Sequence, residues 1–236
     1  MKSGAPKLTH VIPSQGRGDV TAVTSLGNEV FVLRSPSQQI EVYDARTFTL
    51  QRYITVPGLG IWSGGLAACA HYKCLYVSDY IDRNVHRAEL SGSNAVKKWS
   101  VGGDPTGLSV NKEHNVVVAC RWAHKIQEYT THGALVREIS LEQAGVTGPW
   151  HAVQLSTGDY VVSECKLPGA VSVVGIDGQV VRRYCPSPSS DVRKMISPRS
   201  LAVTKKRLHS CHRHRQSQNP DSEPFTEFCM GAGSAS

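Results

Sequence analysis

Nowhere does the 236-residue chain approach the roughly 20 consecutive apolar residues that a membrane-spanning helix needs. The opening run MKSGAPKLTHVIPSQGRG has no apolar h-region, so no secretory signal is expected and the cytoplasm is the default location. Amphipathic helical patterns of 10–15 residues are missing as well. So are a Cys-x-x-Cys pair, a Gly-rich phosphate loop and a Ser–His–Asp spacing. Their absence removes the usual signals for redox or structural-metal chemistry, nucleotide binding and triad hydrolysis.

Cysteine is present in an odd number, seven, mostly inside apolar runs such as AACA and VVVAC. That distribution suits free, buried thiols in a reducing compartment better than a disulfide framework. Cys69 and Cys74, which flank a hairpin turn, are the one pair to check. Charge is modest too: the formal +7 includes five Lys/Arg and three Asp/Glu in residues 205–236, and the remainder is spread without a basic block. Phosphate contacts are permitted by this balance but not demanded.

What is there is a repeat. Segments beginning at Asp19, Trp62, Asp104 and Gly148 each hold four short runs rich in Val, Ile and Tyr, bounded by turn residues. In the second segment these runs are LAACA, CLYVSD, NVHRAEL and AVKKWSV. The residue closing the second run falls at Arg34, Asp79, Cys120 and Glu164, giving spacings of 45, 41 and 44. Four antiparallel strands every forty-odd residues describe an all-β protein, a β-propeller built of four-stranded blades. Blades are expected at 19–58, 62–103, 104–147 and 148–196, and SPRSLAV at 197 supplies the first strand of a fifth. Four blades plus one strand are incomplete relative to a six-bladed ring. An incomplete ring exposes strand edges and an apolar blade face, a route to self-association. The stretch 7–12, KLTHVI, within the N-terminal segment 1–18, is a candidate outer closing strand.

CLYVSDYIDRNVHRAEL, with Asp79, Asn84 and Val85 in register, resembles the core of an NHL repeat, and DPTGLSV, GPWHAV and SPRSLAV resemble its lead-in. The likeness covers residues 19–204 and also touches the YWTD repeat; at the matching place the other segments carry Arg34, Cys120 and Glu164. It implies a scaffold like the NHL domains at the C-terminal end of tripartite-motif proteins. No RING, B-box or coiled-coil segment accompanies it here, so ligase activity does not carry over.

Residues 205–236 break the pattern and read as a disordered or non-native tail. Cys211, His212, His214 and Cys229 could be written as a zinc set, but adjacent Cys211–His212 and one distant Cys depart from zinc spacing. No metal or other cofactor is expected. With permitted codons, the run from Lys206 read one nucleotide later spells NGYILVTDTGNRKILILN, an NHL-like strand–loop–strand where the period calls for one.

Functional candidates gather at strand ends. Arg34, Trp62, Arg83, Arg121, Trp122, Lys125 and Trp150 combine cations with aromatic rings, the side chains enriched at binding hot spots. Such a rim is expected to bind a protein partner, and the same chemistry can stack unpaired RNA bases. The alternative is a gluconolactonase-like, metal-dependent hydrolase using Asp79, Asp104, Asp159 and Glu164. His151 and His124 read as packing or satisfied polar groups.

The frame reading is checked by sequencing the transcript across the codons for Thr204 to Phe225. An extra or missing base that restores NGYILVTD is the expected result. A transcript with no such alternative frame overturns it.

Overall fold

The computed structural model describes residues 18–90, 96–166, 169–185 and 198–202, with strand backbone alone at Val203, 207–212 and 227–231. Among these residues there is no helix, and nineteen strands form five antiparallel sheets. The first sheet contains β1 (Asp19–Leu26), β2 (Glu29–Ser35), β3 (Gln39–Asp44) and β4 (Leu50–Thr55). The second contains β5 (Ser63–Cys69), β6 (Cys74–Asp79), β7 (Asn84–Glu89) and β8 (Val96–Ser100). The third contains β9 (Pro105–Val110), β10 (Val116–Cys120), β11 (Lys125–Tyr129) and β12 (Leu135–Ser140). The fourth contains β13 (Pro149–Gln154), β14 (Tyr160–Glu164), β15 (Ala170–Val174) and β16 (Val180–Tyr184). The last has three strands, β17 (Pro198–Val203), β18 (Arg207–His212) and β19 (Glu227–Gly231).

Each expected blade therefore contains one whole sheet, and within each the strands neighbour one another in chain order. The fifth unit departs from expectation, because β18 and β19 fall in the run read as strandless. Pairing is a backbone property, and β17 offers β18 an edge from Pro198 to Val203 despite the polar sequence. Residues 7–12 and the side chains of Cys211, His212, His214 and Cys229 lie outside the described residues.

First strands pack in succession, β1 on β5, β5 on β9, β9 on β13 and β13 on β17, as blades around an axis. Crowding there explains the small residues: a Cβ on Gly107 would sit 2.6 Å from the Trp150 carbonyl, and one on Gly65 would meet the Thr106 carbonyl.

The hydrophobic cores lie between sheets. Period 2 sends alternate side chains of each second strand into different cores. Leu75 and Val77 of β6 join Phe31, Leu33, Ile40 and Val42 of the first blade, while Cys74 and Tyr76 join Leu108, Val116 and Val118 of the third. On β10, Val117 and Ala119 turn the other way, toward Ala152, Tyr160 and Val162. These strands are buried on both faces, which is why they read as unbroken apolar runs. Fourth strands are largely exposed and carry Arg52, Lys97, Lys98, Arg137, Arg182 and Arg183, charges that blunt an edge against pairing. Much of the mild basic excess is thus perimeter.

The first blade shows where the ring is open. Leu66, Leu108, Ala152 and Leu201 occupy equivalent register positions and are all buried. At the same position Val23 is 57% exposed, and Val20 on that face is 45% exposed. These open sheets fit an incomplete propeller.

A polar pair recurs at one buried diagonal of every complete blade. Arg34 Nε lies 3.0 Å from Glu41 Oε1. His86 Nε2 is 3.7 Å from Asp79 Oδ2. Cys120 Sγ is 3.5 Å from Gln127 Oε1, and Ser172 donates to Glu164 at 2.8 Å. Tyr43 adds a 2.8 Å hydrogen bond to Glu41. Arg34→Met leaves that carboxylate buried without its cation and is expected to cost about 3–5 kcal/mol in urea unfolding. Arg34→Met/Glu41→Leu should recover most of the loss; a single-variant cost below about 1 kcal/mol, as for a surface pair, contradicts the buried-pair assignment.

Candidate binding rim

Antiparallel blades divide the loops into two sets. Turns between first and second strands, and between third and fourth, share one end; links between second and third strands, and between blades, share the other. All seven residues singled out in the sequence lie at the second end.

Two equivalent links build the centre of this rim. Tyr80, Ile81, Asp82 and Arg83 join β6 to β7; Arg121, Trp122, Ala123 and His124 join β10 to β11. The last residue of each, Arg83 and His124, takes the left-handed conformation with φ of 53° and 45°. Such φ values are uncommon outside glycine and fix how the link turns. Asp79 anchors the first link by accepting the Gly60 and Asp82 N–H groups at 2.8 and 3.1 Å. Asp104, in the connection between blades, accepts Arg83 Nε at 3.0 Å and offers its backbone carbonyl to Arg121 N–H at 3.1 Å.

From there an arc crosses four blades. The Trp62 carbonyl accepts Tyr80 N–H at 3.2 Å, and Trp122 Nε1 donates to the Tyr80 hydroxyl at 2.6 Å. The Arg121 guanidinium lies 4.5 Å from the centre of the Trp122 ring and 5.1 Å from that of Trp150. Arg199 covers Trp150 at 4.4 Å. Each cation–π contact stabilises by about 0.5–2 kcal/mol depending on desolvation. Trp62 and Trp122 remain 63% and 59% exposed, and Ile61 and Ile81 beside them are exposed too.

The structure thus brings together Trp62, Arg83, Arg121, Trp122 and Trp150. Arg34 does not join them, because it is buried against Glu41. Lys125 is taken up by Glu138 at 2.9 Å. Tyr80, Ile61, Ile81 and Arg199 belong to the arc and were not singled out. The period held a signal for one of them: Arg199 follows Pro198 as Trp150 follows Pro149.

Beneath the rim, His151 ties three first strands together. Its Nδ1 accepts the Leu201 N–H at 3.0 Å, so Nε2 carries the proton and donates to the Leu108 carbonyl at 2.9 Å. Burial holds this imidazole below its ordinary value, opposed by the Leu108 bond. Burial also lowers His86, with Asp79 pulling the other way. Burial alone would raise Glu164, but hydrogen bonds from Arg183, Lys166 and Ser172 together hold it below the usual carboxylate range. Cys120 is pushed up to about 12 by burial and stays a thiol. Cys69 and Cys74 face each other across the β5–β6 hairpin as free thiols.

The carboxylates of the hydrolase alternative are dispersed. Asp79, Asp104 and Glu164 are engaged as described, and Asp159 lies in a turn at the opposite end, accepting Thr157 Oγ1 at 2.9 Å. Among the described residues, no group of three or more His, Cys, Asp or Glu side chains is placed to hold a metal ion. Among the same described residues, no helix is long and apolar enough to cross a membrane.

No protein-family model and no curated protein matches the chain. Solved structures do. A hydrazine synthase from Kuenenia stuttgartiensis superposes with a TM-score of 0.62 at 18% identity, over 94% of this chain and 65% of that one. Virginiamycin B lyase from Staphylococcus aureus gives 0.61 at 15% identity, over 87% and 68%. The WD40 β-propeller domain of Doa1 gives 0.61 at 16% identity, over 84% and 64%. At these identities the likeness shows fold alone: the chain is a β-propeller. It spans about two thirds of the length of these chains.

Because His86 and His151 are held below 6.5, the unfolded chain binds protons that the folded chain refuses. Stability present above pH 6.5 therefore declines as pH falls toward the folded values, by up to about 1.4 kcal/mol per pH unit for each such proton. Urea midpoints measured from about pH 8 to about pH 5.5 should show this fall, and His151→Asn should flatten part of it. An identical slope in His151→Asn contradicts the assignment.

Proposed function

We propose that this propeller is a non-catalytic interaction module that binds a protein partner through the rim. One observation carries the proposal: the arc from Trp62 through Tyr80, Trp122, Arg121 and Trp150 to Arg199, in which Trp62 and Trp122 are exposed and the other four half-buried. Exposed indoles cost solvation in the free protein, and aromatic and Arg side chains dominate binding energy once water is excluded. Internal hydrogen bonds already occupy the carboxylates that a gluconolactonase-like hydrolase would need, which weighs against that alternative.

The test compares the wild-type chain with Trp62→Ala/Trp122→Ala, both verified as folded by circular dichroism. A protein captured by the wild type and then purified should bind the variant at least about tenfold more weakly. Equal affinity contradicts the rim as the binding surface. Metal-dependent lactone hydrolysis abolished by a chelator contradicts the non-catalytic assignment.

A further inference from the structure

The rim's cations differ in what neutralises them. Arg34, Arg83, Lys125 and Lys166 each have a carboxylate, from Glu41, Asp104, Glu138 and Glu164 respectively. Arg121 has indoles instead, Trp122 and Trp150, against its guanidinium. Its Nε is buried and donates to no protein atom. A guanidinium with rings against its faces keeps its strongest remaining recognition in its own plane, where a carboxylate or phosphate accepts two parallel N–H bonds.

We propose that Arg121 is the anchor for one carboxylate of an acidic peptide segment, with apolar residues flanking that carboxylate packed on Ile61, Trp62, Ile81 and Trp122. This rests on the rim being the binding surface. Charge decides between a peptide and a nucleic-acid strand. A phosphate backbone presents a charge at every nucleotide and needs a run of uncompensated cations. Here Arg83 and Lys125 are spent on internal carboxylates, Arg199 is engaged over Trp150, and Asp82 adds an exposed negative group to the link. Arg121, with a desolvated Nε and exposed apolar side chains nearby, matches one carboxylate in an apolar context. Held over two indole rings, Arg121 is not replaceable by Lys.

Random peptides displayed on phage are selected on the full chain, and enriched peptides are synthesised and measured by fluorescence anisotropy. Expected sequences carry Asp or Glu beside aromatic or aliphatic residues. Their affinity should fall at least about tenfold in Arg121→Gln and in Arg121→Lys, and stay unchanged in Asp159→Asn at the opposite end. Peptides lost with Trp122→Ala but indifferent to Arg121→Gln overturn the carboxylate anchor while leaving the rim as the surface. Peptides indifferent to both remove the rim itself. Failure to enrich peptides, or stronger binding of single-stranded oligouridine that is lost in Arg121→Gln, overturns the peptide proposal.

Discussion

Everything in this protein depends on sheets packing face to face. A single four-stranded sheet has two apolar faces and no core of its own; burial comes only from the neighbour. Second strands are the hinge of this arrangement, since β6, β10 and β14 each feed two cores with alternate side chains. Removing one apolar side chain from such a strand damages one interface and spares the other. Between the fourth and fifth sheets Val161, Val171 and Leu201 pack together, and His151 adds a hydrogen bond from the Leu201 backbone N–H across the same junction.

Polar groups inside the blades follow the same repeat. Arg34–Glu41, Asp79–His86, Cys120–Gln127 and Glu164–Ser172 share one place, though no two are chemically alike. The place imposes a buried, mutually compatible pair and leaves its chemistry free. That freedom accounts for Arg34, Cys120 and Glu164 standing where the second blade has Asp79: each comes with a third-strand partner that suits it. Glu164 draws on Arg183 from the fourth strand as well, because Ser172 alone could not balance a buried charge.

The blade architecture was legible in the sequence because turn residues and apolar runs both keep the period, two independent signals in one register. NHL-specific membership has no such second support, and what is shown is the propeller. The rim was legible in part. Trp62, Trp122 and Trp150 stood out as aromatic residues at strand ends, and they do line one end. Burial was not legible: Arg34 looks like any strand-terminal cation until Glu41, seven residues on, is seen to lie diagonally across the hairpin. Tyr80 was passed over because its role depends on Trp122, 42 residues away and on the next blade. β18 and β19 were missed because backbone pairing leaves little trace in a polar sequence.

Why the Trp–Arg arc sits on the links at one end follows from the cores. Strand interiors are committed to blade packing, and fourth strands carry charges that keep edges apart. The turns at one end spend their rings on each other: His71 stacks on His114 with centroids 4.1 Å apart, and both meet Tyr72 edge-on. Links at the other end are anchored from below by Asp79 and Asp104, so their side chains can project without loosening the sheet. The exposed Trp122 ring is tied to Tyr80 of the neighbouring blade, which limits the freedom that ring has left to lose on ordering. The contacts that unite the rim also couple it to ring geometry, since Trp62, Trp122, Trp150 and Arg199 come from four successive units. A shift of one blade against the next would part Trp122 from Tyr80 or Arg121 from Trp150. The geometry of the arc is therefore a property of the packed array, and blade packing below it sets how well the arc is held.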